Sequence, residues 1–551
     1  MTPLICLWDI EVAKYVFVTG GVMSGIGKGI VTASIGKILQ VRGFRVTTVK
    51  IDPYLNVDAG TMNPYVHGEV FVTEDGGEID MDLGTYERFL DLDLPKDHNI
   101  TTGQIYASIV DMERRGNFLG KCVQIIPHVS DEIKNRIRKV AVRSNVDAVI
   151  VEIGGTVGDI ESLPYLEAAR QMRLEEGFGN VVYVHVTLVP MLDVVGEQKT
   201  KPTQHSVQEL RRIGIQPDVI IARSKKPLLS DPRSKIALFC NVEEKAVFTS
   251  PDIQTIYESP LILDEQGLGN YLSERLNLPR RAPSWNSWRQ IIRSFLKPKH
   301  EVHIAICGKY AELADSYVSI NEALRHSGAA CDARVSIDWI ETETFEQDRE
   351  ELKSLSKYDG VLIPGGFGAR GTEGKIAAVN YSRTHDIPFL GICFGFQIAT
   401  IEFARHIDLK EANSTEIDPH TPHPVIDLMP EQKTTDYKGA TMRLGAHEIL
   451  ITPRTMAHRL YRTEKIYERH RHRYEVNEKY IKQLVEHGLV FSGKSPDGRR
   501  MEILEIPNLY FYFATQFHPE FKSRPGKPDP AYLGFIKACL DRKLGKQKLV
   551  S

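Results

Sequence analysis

The stretch YVFVTGGVMSGIGKGI, residues 15–30, decides the fold class. An apolar, β-branched run enters a glycine-rich turn, and a helical pattern follows at once. This is the strand–turn–helix layout of a phosphate-binding loop. Glycines let successive backbone N–H groups converge on phosphate oxygens, and the helix N-terminus adds positive potential. Lys28 is expected to reach the outer phosphates of a nucleoside triphosphate. A plain glycine turn with a surface lysine is the alternative; strand, spaced glycines, lysine and helix start together favour phosphate. One position departs from the common loop. Gly29 stands where a Ser or Thr usually holds magnesium.

Magnesium prefers hard oxygen ligands and commonly takes one or two carboxylates beside phosphates. Two candidates follow the loop. Asp82 lies in the acidic stretch EDGGEIDMDLGTYERF (74–89), and Glu152 ends a buried run in VIVEIGGTVGDIES (149–162). An acidic residue at the carboxyl end of a strand lies where open α/β sheets bind ligands. A cationic set comes next, GEQKTKPTQHSVQEL (196–210) and then Lys235. Lys199 and Lys201 flank one residue and would point the same way if the segment is extended; on spacing alone, a solvated run of charge is the alternative.

Outward from the loop, KYVFVTGG (14–21), FRVTTVKID (44–52), VDAVIVEIGG (146–155), NVVYVHVTLVP (180–190) and PDVIIARS (217–224) read as buried parallel strands separated by helix-length segments. That alternation is an α/β doubly wound pattern. A Pro-, Arg- and Ser-rich break, LNLPRRAPSWNSWRQ (276–290), precedes a second series: VHIAICGKY (302–310), YDGVLIPGGFG (358–368), IPFLGICFGFQ (387–397) and LYFYFATQFHPEF (509–521). The expectation is two doubly wound α/β domains, 1–280 and 301–551, with a linker at 281–300. A chain of 551 residues requires more than one core.

The composition, 42% hydrophobic and 26% charged, is that of a globular protein. A net charge of −3 gives no global attraction to nucleic acid or to an anionic membrane. The 7 cysteines are spread singly, without CxxC pairs, which predicts reduced thiols in a cytoplasmic protein. The start, MTPLICLWDIEVAK, lacks the basic region of a signal peptide, and no apolar run is long enough to span a membrane. Neither a leader nor a long regulatory tail is expected.

A second candidate site lies in the C-terminal half. FLGICFGFQ has the form G-x-C-x-G directly after an apolar strand, the layout of a nucleophile elbow with Cys393 as nucleophile. The start of the following helix favours the thiolate. QFHPEF supplies His518 as base and Glu520 as its orienting acid. The N–H groups of Phe394 and of Gly366, in PGGFG (364–368), are the expected oxyanion donors. ERHRHRYEV (468–476) is basic and invites a nucleic-acid reading, but without a wider basic field an arginine clamping a substrate carboxylate fits better.

In order, TGGVMSGIGKG, the long block KIDPYLNVDAGTMNPYVHGEVFVTEDGGEIDMDLGTYERF, VEIGGTVGDIES, EQKTKPTQHSVQELRRIGIQPD, SKIALFCNV, PGGFGARGTEG, GICFGFQ, EANSTEI, RHRYEVN and QFHPEF closely resemble the CTP synthases, glutamine-hydrolysing UTP–ammonia ligases. The resemblance covers about residues 14–540; the triad alone would indicate only a class I glutamine amidotransferase. The resemblance implies an N-terminal amidoligase domain in which ATP phosphorylates the uracil 4-oxygen of UTP and ammonia displaces the phosphate. It assigns phosphate binding to Ser24, Gly25, Ile26, Gly27, Lys28, Gly29 and Ile30, a place near the transferred phosphoryl to Lys50, and Mg2+ to Asp82 and Glu152. Pro251, Asp252 and Ile253 match an adenine contact. Ser24, Asp159, Ile160, Glu161, Lys199, Thr200, Lys201, Pro202, Thr203, Gln204 and Lys235 match positions that bind UTP and the inhibitory product CTP.

For the C-terminal domain it implies the triad Cys393, His518 and Glu520, and L-glutamine contacts from Gly366, Phe394, Gly395, Phe396, Gln397, Glu416 and Arg473. Arg370, Gly371 and Glu373 match a segment through which GTP activates glutamine hydrolysis. The resemblance further implies a homotetramer, possible filaments, and a closed passage for ammonia. Phe394 and Phe396 stand where Leu and Met are common, a change of volume beside the nucleophile. A different amidoligase would share loop and triad without needing the lysine set; a nucleotide-switched assembly protein would not need the triad.

Overall fold

The computed structural model describes residues 13–546 apart from 64–66, 193–195, 310–313 and 430–441. The first twelve residues, with their expected lack of a leader, therefore lie outside the described part. The chain divides into two compact units. Of the described residues, the first takes in those within 13–58, 85–92 and 97–292, and the second those within 59–84, 93–96 and 293–546.

The first unit is built on seven strands: β1 (Lys14–Gly20), β2 (Val46–Asp52), β3 (Asn99–Thr101), β4 (Ala148–Ile153), β5 (Val181–Leu188), β6 (Val219–Arg223) and β7 (Val247–Ser250). They form one sheet in the order β7-β6-β5-β1-β4-β2-β3, and every pair is parallel. All seven are buried along their whole length or all but one residue, as a sheet covered on both faces requires. The five predicted strands are all present. The order runs outward in both directions from β1, so ligand crevices are expected at the carboxyl ends of β1 and its neighbours. Helix α1 (Lys28–Gln40) leaves the glycine turn, and α2 (Lys201–Arg212) follows the cationic segment. The expected linker at 281–300 carries a helix, Asn286–Leu296. Its Trp288 packs beside Phe89 and Tyr257, with the indole N–H donated to the Tyr257 carbonyl at 2.8 Å.

The main sheet of the second unit has nine strands: β8 (His300–Gly308), β9 (Ala333–Glu341), β10 (Gly360–Ile363), β11 (Phe389–Ile392), β12 (Arg443–Ile451), β13 (Lys465–His472), β14 (Val490–Lys494), β15 (Met501–Glu505) and β16 (Tyr512–Thr515). Their order is β9-β8-β10-β11-β16-β15-β14-β12-β13. The first five are mutually parallel, and the rest continue antiparallel. Helix α3 (Phe394–His406) springs from the end of β11, and every one of its residues from Phe394 to Ala404 is buried. A short antiparallel hairpin, Val70–Val72 with Glu78–Asp80, groups with this unit although it precedes it by more than two hundred residues in sequence. A single linear boundary does not separate the two units. Among the described residues no helix is long and apolar enough to cross a membrane.

Candidate active sites

In the first unit, β1 delivers the chain into the turn at Gly20 and Gly21. Side chains are excluded there for a visible reason: a Cβ on Gly21 would lie 1.5 Å from the Ser206 hydroxyl, and one on Gly20 2.6 Å from Lys28 Cδ. Gly25 and Gly27 adopt φ of +72° and +92°, the left-handed region that glycine enters without steric cost. Residues 22–25, including Ser24, are exposed, while Ile26 is buried and anchors the loop. Lys28, at the head of α1, donates its ammonium to the Gly155 carbonyl. That turn is latched to the sheet, because Gly154 N–H donates to Ile51 O and Val157 N–H to Gly20 O.

Glu152, at the carboxyl end of β4, is fully buried, which is costly for a carboxylate without partners. It has them: Lys50 Nζ lies 2.9 Å from one oxygen and the Tyr86 hydroxyl donates to the other. Lys50 is also 3.8 Å from Asp52. Behind the loop, His185 joins the Thr19 and Ser206 hydroxyls at 2.9 and 2.8 Å. Burial, with Lys28 nearby, lowers its pKa to about 3, so this imidazole stays neutral. Tyr86, His185 and Ser206 lie in stretches singled out in the sequence but were given no role there; only the three-dimensional contacts show theirs.

Asp82 opens a helix, Asp82–Leu90, and its backbone N–H donates to Asp80. By compactness it groups with the second unit and Glu152 with the first. Among the described residues no group of three or more His, Cys, Asp or Glu is arranged to hold a metal. A magnesium ion here would rest on carboxylates few in number together with phosphate oxygens, which suits its habit.

The expected parallel pair of lysines is not found. Lys199 pairs with Glu197 at 2.6 Å, while Lys201 is the first residue of α2 and lies over the Phe239 ring. The helix starts between them and rotates the second side chain away. Thr200 and Gln204 bond one turn apart, and Thr203 reaches Thr187 and Leu188 O. Pro202 sits in the first turn of α2. Lys235 is exposed and paired with Asp231. Asp159 accepts from Thr156 N–H at 2.7 Å, and Ile160 and Glu161 are exposed. Pro251, Asp252 and Ile253 follow β7, with Asp252 paired to Arg223 at 2.6 Å.

In the second unit, Cys393 stands between β11 and α3 at φ +51°, ψ −95°. Such a conformation costs of order 1–3 kcal/mol for a residue with a side chain and persists only where the surroundings enforce it. Its flanking glycines do the enforcing. A Cβ on Gly391 would meet Gly395 at 2.8 Å, and one on Gly395 would lie 2.3 Å from Ile363 O. The Cys393 thiol is 3.7 Å from the Arg471 carbonyl, and the Gln516 amide donates toward the sulfur at 3.7 Å.

His518 Nδ1 lies 2.7 Å from Glu520 Oε1. Burial works against a charged imidazole here, but the Glu520 carboxylate and then the Cys393 sulfur outweigh it and raise the His518 pKa to about 10. A Cβ on Gly365 would touch His518 Cε1 at 2.8 Å, so that glycine makes room for the ring.

A cavity of about 520 Å3 opens on Cys393 and His518, and Gly366, Gln397, Glu416 and Arg473 also line it. Glu416 accepts from Gly368 N–H at 2.9 Å, and burial raises its pKa. Gln397 donates to Tyr474 O. The side chains of Phe394 and Phe396 face the apolar core rather than the cavity, which leaves Phe394, Gly395 and Phe396 to act through the backbone. The 370–373 segment stands apart from that lining: Arg370 lies 3.5 Å from Glu343, Gly371 O accepts from Thr342, and Glu373 forms a two-point pair with Arg405. Unforeseen in the lining are Gly60, Thr61, Met62 and Glu69.

A glycine-rich strand–turn–helix loop on one doubly wound sheet and a cysteine elbow with a histidine–glutamate pair on another are the layout of a ligase that draws nitrogen from an amidotransferase domain. Family models agree with each half: CTP synthase N-terminus over residues 14–278 and glutamine amidotransferase class-I over 312–538. The CTP synthase of Thermococcus gammatolerans is 60% identical over 534 residues, 97% of this chain and 99% of that one. Those of Pyrococcus furiosus and Methanocaldococcus jannaschii are 58% and 54% identical, again over 97% of this chain and 99% and 100% of theirs. A solved glutaminase domain of Trypanosoma brucei CTPS, with bound acivicin, is 37% identical, with a TM-score of 0.42 over 45% of this chain and 95% of its own. The chain belongs to the CTP synthase family, C–N bond-forming ligases that use ATP to aminate UTP to CTP with glutamine nitrogen in pyrimidine biosynthesis.

Proposed function

We infer that the chain divides this reaction between its two halves and that the residues named above carry it. In the C-terminal half the imidazolium of His518 holds on Nε2 the proton given up by the Cys393 sulfur, and the sulfur attacks the carboxamide carbon of glutamine. The Phe394 and Gly366 N–H groups receive the oxyanion. Nε2–H then protonates the amide nitrogen, which leaves as ammonia as the C–N bond breaks and the thioester forms, and water hydrolyses the thioester to glutamate and the free thiol. Arg473 fits the substrate carboxylate and Glu416 its ammonium group. The buried pairing of His518 with Glu520, 2.7 Å apart beside the strained Cys393, is the observation that carries this reading.

In the N-terminal half Ser24 to Ile30 wrap the phosphates of ATP, and Lys28 and Lys50 hold the phosphoryl group that passes to the uracil 4-oxygen. Asp82 and Glu152 would hold magnesium, which when bound neutralises phosphate charge. Pro251 to Ile253 take the adenine. Asp159 to Glu161, Lys199 to Gln204 and Lys235 take UTP, and CTP as a feedback inhibitor. GTP activates through Arg370, Gly371 and Glu373. Ammonia is mostly ammonium in neutral water, so a closed passage between the sites keeps it nucleophilic. The resemblance supports a cytoplasmic homotetramer able to form filaments. The test is conversion of UTP to CTP by the purified chain with ATP and a magnesium salt, supplied with glutamine or with ammonium. CTP from both sources is expected; none from either source contradicts the reading.

A further inference from the structure

Strand β13 does two things at once. Alternate residues of a strand share a face, and Arg469 and Arg471 send their side chains to one segment and their carbonyls to another. Arg469 is completely buried. Its guanidinium meets Glu74 at 2.9 Å, Val72 O at 3.0 Å and Asp93 at 2.9 Å. Its carbonyl accepts the His518 N–H at 2.8 Å. The Arg471 guanidinium meets Glu78 at 2.8 Å, and its carbonyl lies 3.7 Å from the Cys393 sulfur.

The hairpin is fitted closely to this strand pair. Glu74 O accepts from Ala446 N–H at 2.9 Å, and a Cβ on Gly445 would lie 2.6 Å from Gly76 N. A Cβ on Gly60 would strike the buried Glu78 carboxylate at 2.3 Å. A third, apolar route reaches the same imidazole. Phe71 packs edge-on against Phe521 at 5.0 Å, and Phe521 stacks on His518 at 5.2 Å.

We propose that Arg469 and Arg471 are positioning residues for glutamine hydrolysis, and that the acidic hairpin at 70–80 sets the placement of Cys393 and His518 through them. Neither arginine need touch substrate. Each converts the position of a carboxylate, Glu74 or Glu78, into the position of a carbonyl beside the histidine or the thiol. The proposal rests on the glutamine-hydrolysing role of the C-terminal site. It adds that a piece of the N-terminal sequence is part of that site's support.

The test uses the full-length chain with Glu74→Gln and Glu78→Gln, which keep side-chain shape and remove the charge. Glutamine-supported and ammonia-supported CTP synthesis are measured, with kcat and KM for glutamine and the rate of Cys393 alkylation. The expected result is a fall in glutamine kcat of about tenfold or more, because small misplacements of reacting groups cost rate steeply, with KM and ammonia-supported synthesis within about twofold of wild type. The exchanged pair Glu78→Arg with Arg471→Glu should recover glutamine kcat over Glu78→Gln. Unchanged glutamine kcat and alkylation, or an equal loss with both nitrogen sources that the exchanged pair does not relieve, overturns the proposal. If glutamine is not hydrolysed by the unaltered chain, the role of the site fails instead.

Discussion

His518 Nδ1 and Glu520 Oε1 face each other at 2.7 Å in a buried setting, and the pairing decides the charge of the ring. The imidazole is raised to about 10 from an ordinary value of 6.5. A raised histidine adds stability that is fully present below about pH 6.5 and is lost as pH rises through about 10.

Replacing Glu520 by Gln removes the carboxylate that does most to raise this value. The His518 midpoint, followed by NMR, should fall toward or below neutrality, and glutamine-supported synthesis should drop about 100-fold or more while ammonia-supported synthesis persists. A midpoint that stays near 10 would show that another group holds the charge.

Glu152 and Lys50 form a buried ion pair at 2.9 Å. Removing one partner from such a pair leaves a charge stranded, at about 3–5 kcal/mol. Glu152→Ala should therefore lower the denaturation midpoint and impair synthesis from either nitrogen source. Asp52, 3.8 Å from Lys50, should keep the loss toward the lower figure. Wild-type stability and an unchanged magnesium dependence would refute both parts.

The elbow gives a steric prediction. With only 2.3 Å between a Cβ at position 395 and Ile363 O, Gly395→Ala should displace the start of α3, destabilise by about 1–3 kcal/mol and stop glutamine use, while ammonia still supports CTP formation. Full glutaminase activity in a folded Gly395→Ala chain would show that the elbow tolerates movement.

The features legible in sequence were those written locally. The phosphate loop, the buried parallel strands and the cysteine elbow are runs of adjacent residues whose spacing states their geometry. His518 and Glu520 are two apart. The lysine pair failed because a helix start at Lys201 breaks the extended register that would align it with Lys199. The basic run at 469–473 misled in part: beside Arg473 at the cavity, Arg469 is an internal counter-charge whose partner Glu74 lies 395 residues away. No local pattern marks a bond across that separation. The antiparallel strands β12 to β15 were missed as well, since their alternation is interrupted by buried charged residues such as Glu468 and Glu502, the latter paired with His470.

The central claim is that a thiol in one half liberates the nitrogen that the other half consumes. Cys393→Ala, assayed for CTP with glutamine and separately with ammonium under ATP and magnesium, tests it most directly. The account predicts no synthesis from glutamine and near wild-type synthesis from ammonium; glutamine-supported synthesis that survives the substitution would contradict it.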